Sequence, residues 1–193
     1  MEEKQKLIVV PWDFTPVAES ALAHAVKIGR MVGESICLLH IVDTTIKPKA
    51  EGEKKALLKH VAEESSRKYD FAVSAKVLRG SIFTSIAEFV NDNEASLVVM
   101  GTHGMVGMQK LTGSWALKVI VKSKAPFIVV QEPPADQERY HNIVFPIDFR
   151  VENKEKMGMA IFMGKYFDSK IHILRTATND KSLKTKINRN LNF

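Results

Sequence analysis

The sequence predicts an α/β fold, in which a doubly wound five-stranded parallel sheet is followed by a partial repeat of the same unit. Three observations lead to this prediction. Short apolar runs rich in Val and Ile are continuous, which is typical of parallel strands buried on both faces. Helical patterns fill the gaps between these runs. Finally, a segment near the N-terminus returns 135 residues later, which indicates an internal duplication.

Five strands are predicted in the first 132 residues. Four of them are continuous apolar runs that we expect to be buried, and one alternates between apolar and polar residues, as expected nearer a sheet edge. The buried strands are 7–11, 36–42, 97–100 and 127–130, and the alternating strand is 73–78.

Four helices are predicted between these strands. Thr15 offers an N-cap and Pro16 suits the first helical position, after which apolar residues recur at helical spacing as far as Gly29. The other three helices are marked by apolar residues around 57–62, 82–90 and 116–120. Strand and helix therefore alternate four times before a closing strand, and right-handed crossovers make this order a doubly wound sheet.

A linker and an incomplete second copy follow the first domain. Residues 1–132 form the predicted first domain, the proline-containing segment 133–140 the linker, and 141–193 a partial second domain. The heptad 8–14 returns as 143–149, and the same shift aligns the next helix and strand without a gap. The second copy stops after strand, helix, strand and the start of another helix. Either it is a truncated part of a longer tandem protein, which we favour, or it packs on the first domain or on a neighbouring chain.

Composition limits the functional classes. The single cysteine, Cys37, lies in an apolar run, so we expect a buried thiol and no disulfide within the chain. The sequence has neither a long apolar span nor a signal-peptide pattern, so we expect no membrane contact and a cytoplasmic location. The net charge of +6 comes mostly from the tail, because residues 1–140 carry 18 basic and 17 acidic residues, and residues 141–193 carry 10 and 5. We read the basic tail as a solvated helix face rather than as a nucleic-acid site.

Two candidate binding residues follow the first two strands, at the sheet edge where open α/β sheets bind ligands. Asp13 comes directly after the end of the first strand and can accept hydrogen bonds from a ribose hydroxyl or a base amino group. It can equally bond backbone amides in its own turn. The backbone beside Ile41 can read the edge of an adenine ring, or Ile41 is simply the end of a strand.

A ladder of glycines follows the strand that ends at Met100. Gly101, Gly104 and Gly107 permit positive φ and close backbone approach, which lets successive N–H groups point at an anion. Gly113 and Ser114 then stand at the start of a helix, where free N–H groups and the helix dipole favour phosphate. The ladder is neither a Walker P-loop nor the G-x-G-x-x-G of dinucleotide enzymes.

These motifs resemble the universal stress proteins. The resemblance rests on the Asp13 turn, on Leu38 to Asp43, and on Val98 to Gly104 continuing through Gly113 and Ser114 to the strand that ends at Val130. It implies a Rossmann-like fold of the adenine nucleotide alpha hydrolase type, a homodimer formed through the last strand, and a cytoplasmic role in the stress response. It also implies that the ATP-binding members hold ATP with a divalent ion, Mg²⁺ or Mn²⁺, on the phosphates. The cofactor-binding set expected here is Pro11, Asp13, Ile41, Met100, Gly101, Gly104, Gly113 and Ser114.

The spacing of the ladder leaves two functional hypotheses. Eight residues separate Gly104 from Gly113, where the ATP-binding signature of the family has nine. One residue spans up to about 3.5 Å, which exceeds the tolerance of a hydrogen bond. The first hypothesis is a nucleotide-binding regulatory protein with slow ATP hydrolysis at most, since no residue set resembles an efficient catalytic apparatus. The alternative is a stress protein that binds no nucleotide and acts as a dimeric protein-interaction module.

Overall fold

The structure is a computed structural model that describes residues 6–102, 112–135, 140–150, 153–175 and 177–191, with the backbone alone at 112–115 and 153–156. The chain divides into two compact units, Met1–Ala135 and Asp136–Phe193. The division falls inside the segment 133–140 that the sequence marks as a linker. Glu132 still belongs to the first unit, because its carbonyl lies 3.0 Å from Nε2 of His24.

The first unit is a parallel sheet of five strands, as predicted, and the strands lie in the order β3-β2-β1-β4-β5. The chain moves from β1 outward to β3 and then crosses back to β4. The strand order therefore reverses between β1 and β4, and a crevice opens there at the carboxyl ends of the strands. The elements are β1 (Leu7–Pro11), α1 (Pro16–Val32), β2 (Ser35–Val42), α2 (Pro48–Tyr69), β3 (Val73–Arg79), α3 (Ile82–Asp92), β4 (Leu97–Gly101), α4 (Thr112–Ile120) and β5 (Phe127–Val130).

The centre of the sheet forms where the sequence is continuously apolar. Ile8, Val9 and Val10 in β1 are fully buried, because α1 and α2 cover one face of the sheet and α3 and α4 the other. Cys37 in β2 is also buried, as predicted, and burial raises the pKa of its thiol. Helix α1 begins at Pro16, although the hydroxyl of Thr15 bonds to Asp13 rather than capping the helix.

One strand prediction was wrong in its burial. We expected 127–130 to be buried on both faces, but β5 is an edge strand whose Val129 is 45% exposed. In the described part of the chain β5 pairs only with β4, so its outer side lacks a neighbouring strand. A continuous apolar run indicates a strand but does not distinguish a central position from an edge. The alternating strand β3 does form the opposite edge, as predicted.

The second unit pairs two parallel strands beneath two helices. Its core contains Phe145, Ile147, Met157, Ala160 and Ile187. On the opposite side of its sheet Val144 is 62% and Leu174 61% exposed, whereas Val9 and Leu39, which the 135-residue shift aligns with them, are buried beneath α3 and α4. The elements are β6 (Asn142–Ile147), α5 (Asn153–Phe167), β7 (Lys170–Arg175) and α6 (Lys181–Leu191).

The Tyr140 phenol makes the stability of the second unit fall at alkaline pH. Its ring packs edge-on against Phe167 with centroids 4.8 Å apart, and burial raises the pKa of its phenol to about 12. Folding therefore favours the neutral phenol. This contribution to the stability of the folded unit is fully present below pH 10, the ordinary pKa of the phenol. It is lost as the pH rises from there towards 12.

We expect the second unit of the wild type to lose stability more steeply between pH 10 and 12 than that of Tyr140→Phe, which has no phenol to ionise. Urea unfolding at several pH values, monitored by hydrogen exchange of residues 142–191, checks this. The two proteins differ only in this phenol, so parallel pH profiles would contradict the prediction.

Candidate functional site

The crevice between β1 and β4 holds a cavity of about 210 Å³. Its floor is apolar and is formed by buried side chains of β2, β4, α3 and α4, including Leu39, Ile86 and Val119. Asp13, His40 and Thr102 add polar groups to its lining. Whole-ligand pockets usually measure about 300–1,000 Å³, so this cavity suits one ring system of a larger ligand. Five predicted site residues line it: Pro11, Asp13, Ile41, Met100 and Gly101.

Strand β2 continues past the end of β1 and exposes backbone groups to the crevice. Pro11, the last residue of β1, lies opposite Leu39, and the next N–H, of Trp12, donates to the carbonyl of Leu39 at 2.8 Å. Backbone groups along a strand alternate in direction, so the N–H and C=O of Ile41 face the same side as those of Leu39. They lie beyond the point where β1 ends, and together they offer a ligand one donor and one acceptor.

Asp13 takes part in the turn that joins β1 to α1. Its Oδ1 accepts hydrogen bonds from the backbone N–H of Thr15 at 3.1 Å and from the Thr15 hydroxyl at 2.5 Å. The structural role that the sequence left open is therefore present. Both bonds use one oxygen, and a carboxylate has lone pairs on two, so this role does not use up its capacity to accept from a ligand.

Gly101 has a packing role that the sequence did not reveal. A Cβ atom at this position would lie 2.7 Å from the carbonyl carbon of Val17 and 3.2 Å from the backbone nitrogen of Ala18. The end of β4 thus packs directly against the first turn of α1. Glycine is required here by close packing, whether or not a phosphate binds nearby.

The rest of the glycine ladder is described only in part. Gly113 and Ser114 belong to the first turn of α4, where free backbone N–H groups and the helix dipole favour an anion. Further along the same helix, Ala116 and Val119 line the cavity. Gly104, which the sequence predicts as a phosphate-binding residue, lies outside the described residues, as do His103 and Gly107.

Sequence reasoning missed the aromatic cluster behind the Asp13 turn. His40 places its Nδ1 2.7 Å from the carbonyl oxygen of Trp12, and its ring meets that of Phe14 with centroids 4.9 Å apart. Trp12 is buried, and its indole nitrogen has no hydrogen-bond partner among the described residues. The available signal was a histidine near the end of an otherwise apolar strand, and nothing in its local pattern indicated which residue it contacts.

The turn at Asp148 keeps the backbone bond of the Asp13 turn, since its Oδ1 accepts from the N–H of Arg150 at 2.9 Å, but its side-chain contact differs. Asp148 is the counterpart of Asp13, and its Oδ2 accepts hydrogen bonds from Nε of Arg150 at 2.7 Å and pairs with Nη2 of the same residue at 2.6 Å. Asn190, which is buried, donates to the backbone carbonyls of both residues. The Asp148 carboxylate is therefore occupied by a guanidinium group of its own chain.

The described residues contain neither a cluster of metal-ligating side chains nor a membrane-spanning helix. No group of three or more His, Cys, Asp or Glu side chains in these residues is placed to hold a metal ion. None of the described helices combines the length and apolar character needed to cross a membrane.

Comparison with known proteins identifies the family. The family model for the universal stress protein family matches residues 5–131, which contain all of the predicted site residues. The chain belongs to the universal stress protein family. Universal stress protein MJ0531 of Methanocaldococcus jannaschii is 30% identical to it over an alignment of 145 residues, and the match covers 68% of this chain and 85% of that protein.

Solved structures support the fold. The structure of the universal stress protein from Archaeoglobus fulgidus in complex with dAMP covers 66% of this chain and 98% of that one, with a TM-score of 0.54 and 22% identity. The match with a universal stress protein from Archaeoglobus fulgidus DSM 4304 spans 96% of this chain and 71% of that protein, with a TM-score of 0.75 and 17% identity. At these identities the likeness shows the universal stress protein fold, a five-stranded parallel sheet of Rossmann-like type.

Proposed function

We propose that this universal stress protein binds ATP and acts as a regulatory protein of the cytoplasmic stress response. The observation that carries the proposal is the cavity of about 210 Å³ at the switch point of the sheet. Asp13 and Ile41 line it from the ends of β1 and β2, and Met100 and Gly101 from the end of β4. A universal stress protein whose structure is described as a complex with dAMP supports the choice of an adenine nucleotide.

Different groups of site residues suit the base, the ribose and the phosphates of the nucleotide. The apolar floor suits an adenine ring, whose edge the backbone of Ile41 reads, and Asp13 accepts from a ribose hydroxyl. The first turn of α4, at Gly113 and Ser114, with Gly104 before it, receives the phosphates. A divalent ion, Mg²⁺ or Mn²⁺, would be held by phosphate oxygens, since the described side chains offer no cluster for it.

Hydrolysis of ATP at this site should be slow. Asp13 and His40 are the titratable groups among the described residues that line the cavity. Both already make turn contacts, Asp13 with Thr15 and His40 with Trp12. General-base catalysis requires a group within hydrogen-bond reach of the attacking water, and neither contact prepares one. The proposed function is therefore nucleotide-dependent regulation rather than turnover.

The second candidate function is a dimeric protein-interaction module that binds no nucleotide. The observation in its favour is the edge strand β5, whose Val129 is 45% exposed. A homodimer formed through this edge would continue the sheet into a second copy. Nucleotide binding and dimerisation are compatible, so the titration described below decides only whether the nucleotide is part of the function.

We also propose that residues 141–193 are a partial second universal stress protein domain, joined to the first by a linker at 133–140. The parallel pair of β6 and β7 supports this reading, as does the repeat of the heptad at 143–149. Because Asp148 is paired with Arg150, this domain should contribute no second nucleotide site.

Calorimetric titration with ATP and magnesium tests the function. We expect one ATP per chain for the wild type and at least roughly tenfold weaker binding for Gly113→Val, which adds a branched side chain in the first turn of α4, where the phosphates are proposed to bind. The matched control is Gly52→Val in α2, where a Cβ meets no atom within 4 Å and ATP affinity should not change. No heat at near-millimolar ATP, or equal binding by Gly113→Val, would rule out the phosphate site.

A further inference from the structure

We propose that His40 is a positioning residue that holds Asp13 in place for the ligand. The inference rests on the proposed nucleotide function and concerns how the site is built. His40 lies on β2, 28 positions after Trp12, and its Nδ1 is 2.7 Å from the Trp12 carbonyl oxygen. That carbonyl belongs to the peptide bond between Trp12 and Asp13, so its orientation sets the direction in which Asp13 leaves the sheet.

Both peptide groups of Trp12 are held by β2. The N–H donates to the carbonyl of Leu39 at 2.8 Å, and the C=O accepts from His40. A carbonyl can only accept, so Nδ1 of His40 must carry the proton. The neutral Nδ1–H tautomer and the imidazolium both meet this condition.

The residue on the other side of Asp13 needs support as well. Phe14 has a φ of 64°, in the left-handed region that a bulky residue rarely adopts. Such a conformation persists only where surrounding contacts compensate its cost. The Phe14 ring meets the His40 ring edge-on at 4.9 Å, and Nζ of Lys54 lies 4.8 Å from its centroid. His40 therefore contacts the residue before Asp13 and the residue after it.

This arrangement joins the two halves of the adenosine site. His40 is adjacent to Ile41, whose backbone faces the crevice, and both residues line the cavity. A single strand thus carries the base-reading backbone and also holds the turn that presents the carboxylate. Rigid support of this kind is what a binding group needs to stay within a few tenths of an ångström of its working position.

A double-mutant cycle with ATP as the probe tests the coupling. We expect His40→Leu to weaken ATP binding roughly tenfold, and His40→Asn, whose Nδ2–H takes the place of Nδ1–H, to stay within about threefold of the wild type. Because His40 acts through Asp13, His40→Leu should lower ATP affinity much less in the Asp13→Asn variant than in the wild type. His60→Leu, on the exposed face of α2, is the matched control with unchanged affinity. Full affinity of His40→Leu, or strict additivity, would overturn the inference.

A second measurement needs no ligand. Nitrogen NMR of the free protein should find the His40 proton on Nδ1, and exchange of the Thr15 amide, which is bonded to Asp13, should be about tenfold faster in His40→Leu and restored in His40→Asn. If these results hold while the wild type binds no ATP, the proposed function fails and the positioning role stands. A proton on Nε2 alone, or unchanged Thr15 exchange, overturns the positioning role whatever the titration shows.

Discussion

Replacement of Gly101 by alanine is expected to lower the free energy of unfolding of the first unit by about 3 kcal/mol. The added Cβ would lie 2.7 Å from the carbonyl carbon of Val17, well inside van der Waals contact. The collision involves backbone atoms of β4 and of the first turn of α1, so it cannot be relieved by a change of side-chain rotamer. Urea unfolding of the first unit, monitored by hydrogen exchange of residues 7–130, measures the loss.

The control for this change is Gly52→Ala in α2. A Cβ at Gly52 meets no atom within 4 Å, so alanine should raise stability by about 0.5–1 kcal/mol through its better helix propensity. Equal stability of Gly101→Ala and the wild type would mean that the end of β4 does not abut α1. The expected loss also means that substitutions at Gly101 cannot test phosphate binding, because they disturb packing first.

Truncation of Phe167 to alanine is expected to unfold the second unit while leaving the first intact. Phe167 is 2% exposed and its ring packs against that of Tyr140. Loss of a buried phenylalanine typically costs about 3–5 kcal/mol, which is comparable with the whole stability of many small domains. Hydrogen exchange should therefore show loss of protection at residues 142–191 and unchanged protection at residues 7–130.

The matched control is Ile161→Ala on the same helix. Ile161 is 51% exposed, so its truncation removes little buried area and should cost less than about 1 kcal/mol. Native-like exchange of residues 142–191 in Phe167→Ala would show that Phe167 does not stabilise the second unit.

Much of the fold was predictable because its signals are local. The apolar runs of β1, β2 and β4 indicated strands at nearly the observed bounds, and Pro16 marked the start of α1. Alternation of strand and helix then implied a parallel doubly wound sheet, because parallel neighbours need a crossover connection. The sequence reading of 127–130 failed only in its burial, since exposure of Val129 depends on what covers the strand and not on the strand itself.

The candidate site was predictable to the extent that it follows from the ends of strands. Pro11, Asp13, Ile41, Met100 and Gly101 were selected for standing at those ends, and the structure brings all five to one cavity. His40 was not selected, because its contact with Trp12 joins residues 28 positions apart. The ladder residues between β4 and α4 lie mostly outside the described part of the chain, so their predicted role in phosphate binding stays a prediction.

The amino-acid sequence by itself determined the α/β class and the strand ends that meet at the crevice, because hydrophobic period and motif order are properties of neighbouring residues. Only the tertiary structure decided that Gly101 abuts α1, that His40 holds the Asp13 turn and that Asp148 is paired with Arg150. The first two contacts join residues distant in the chain, so packing of the whole unit selects them, whereas the third depends on the rotamer of the exposed Arg150 side chain.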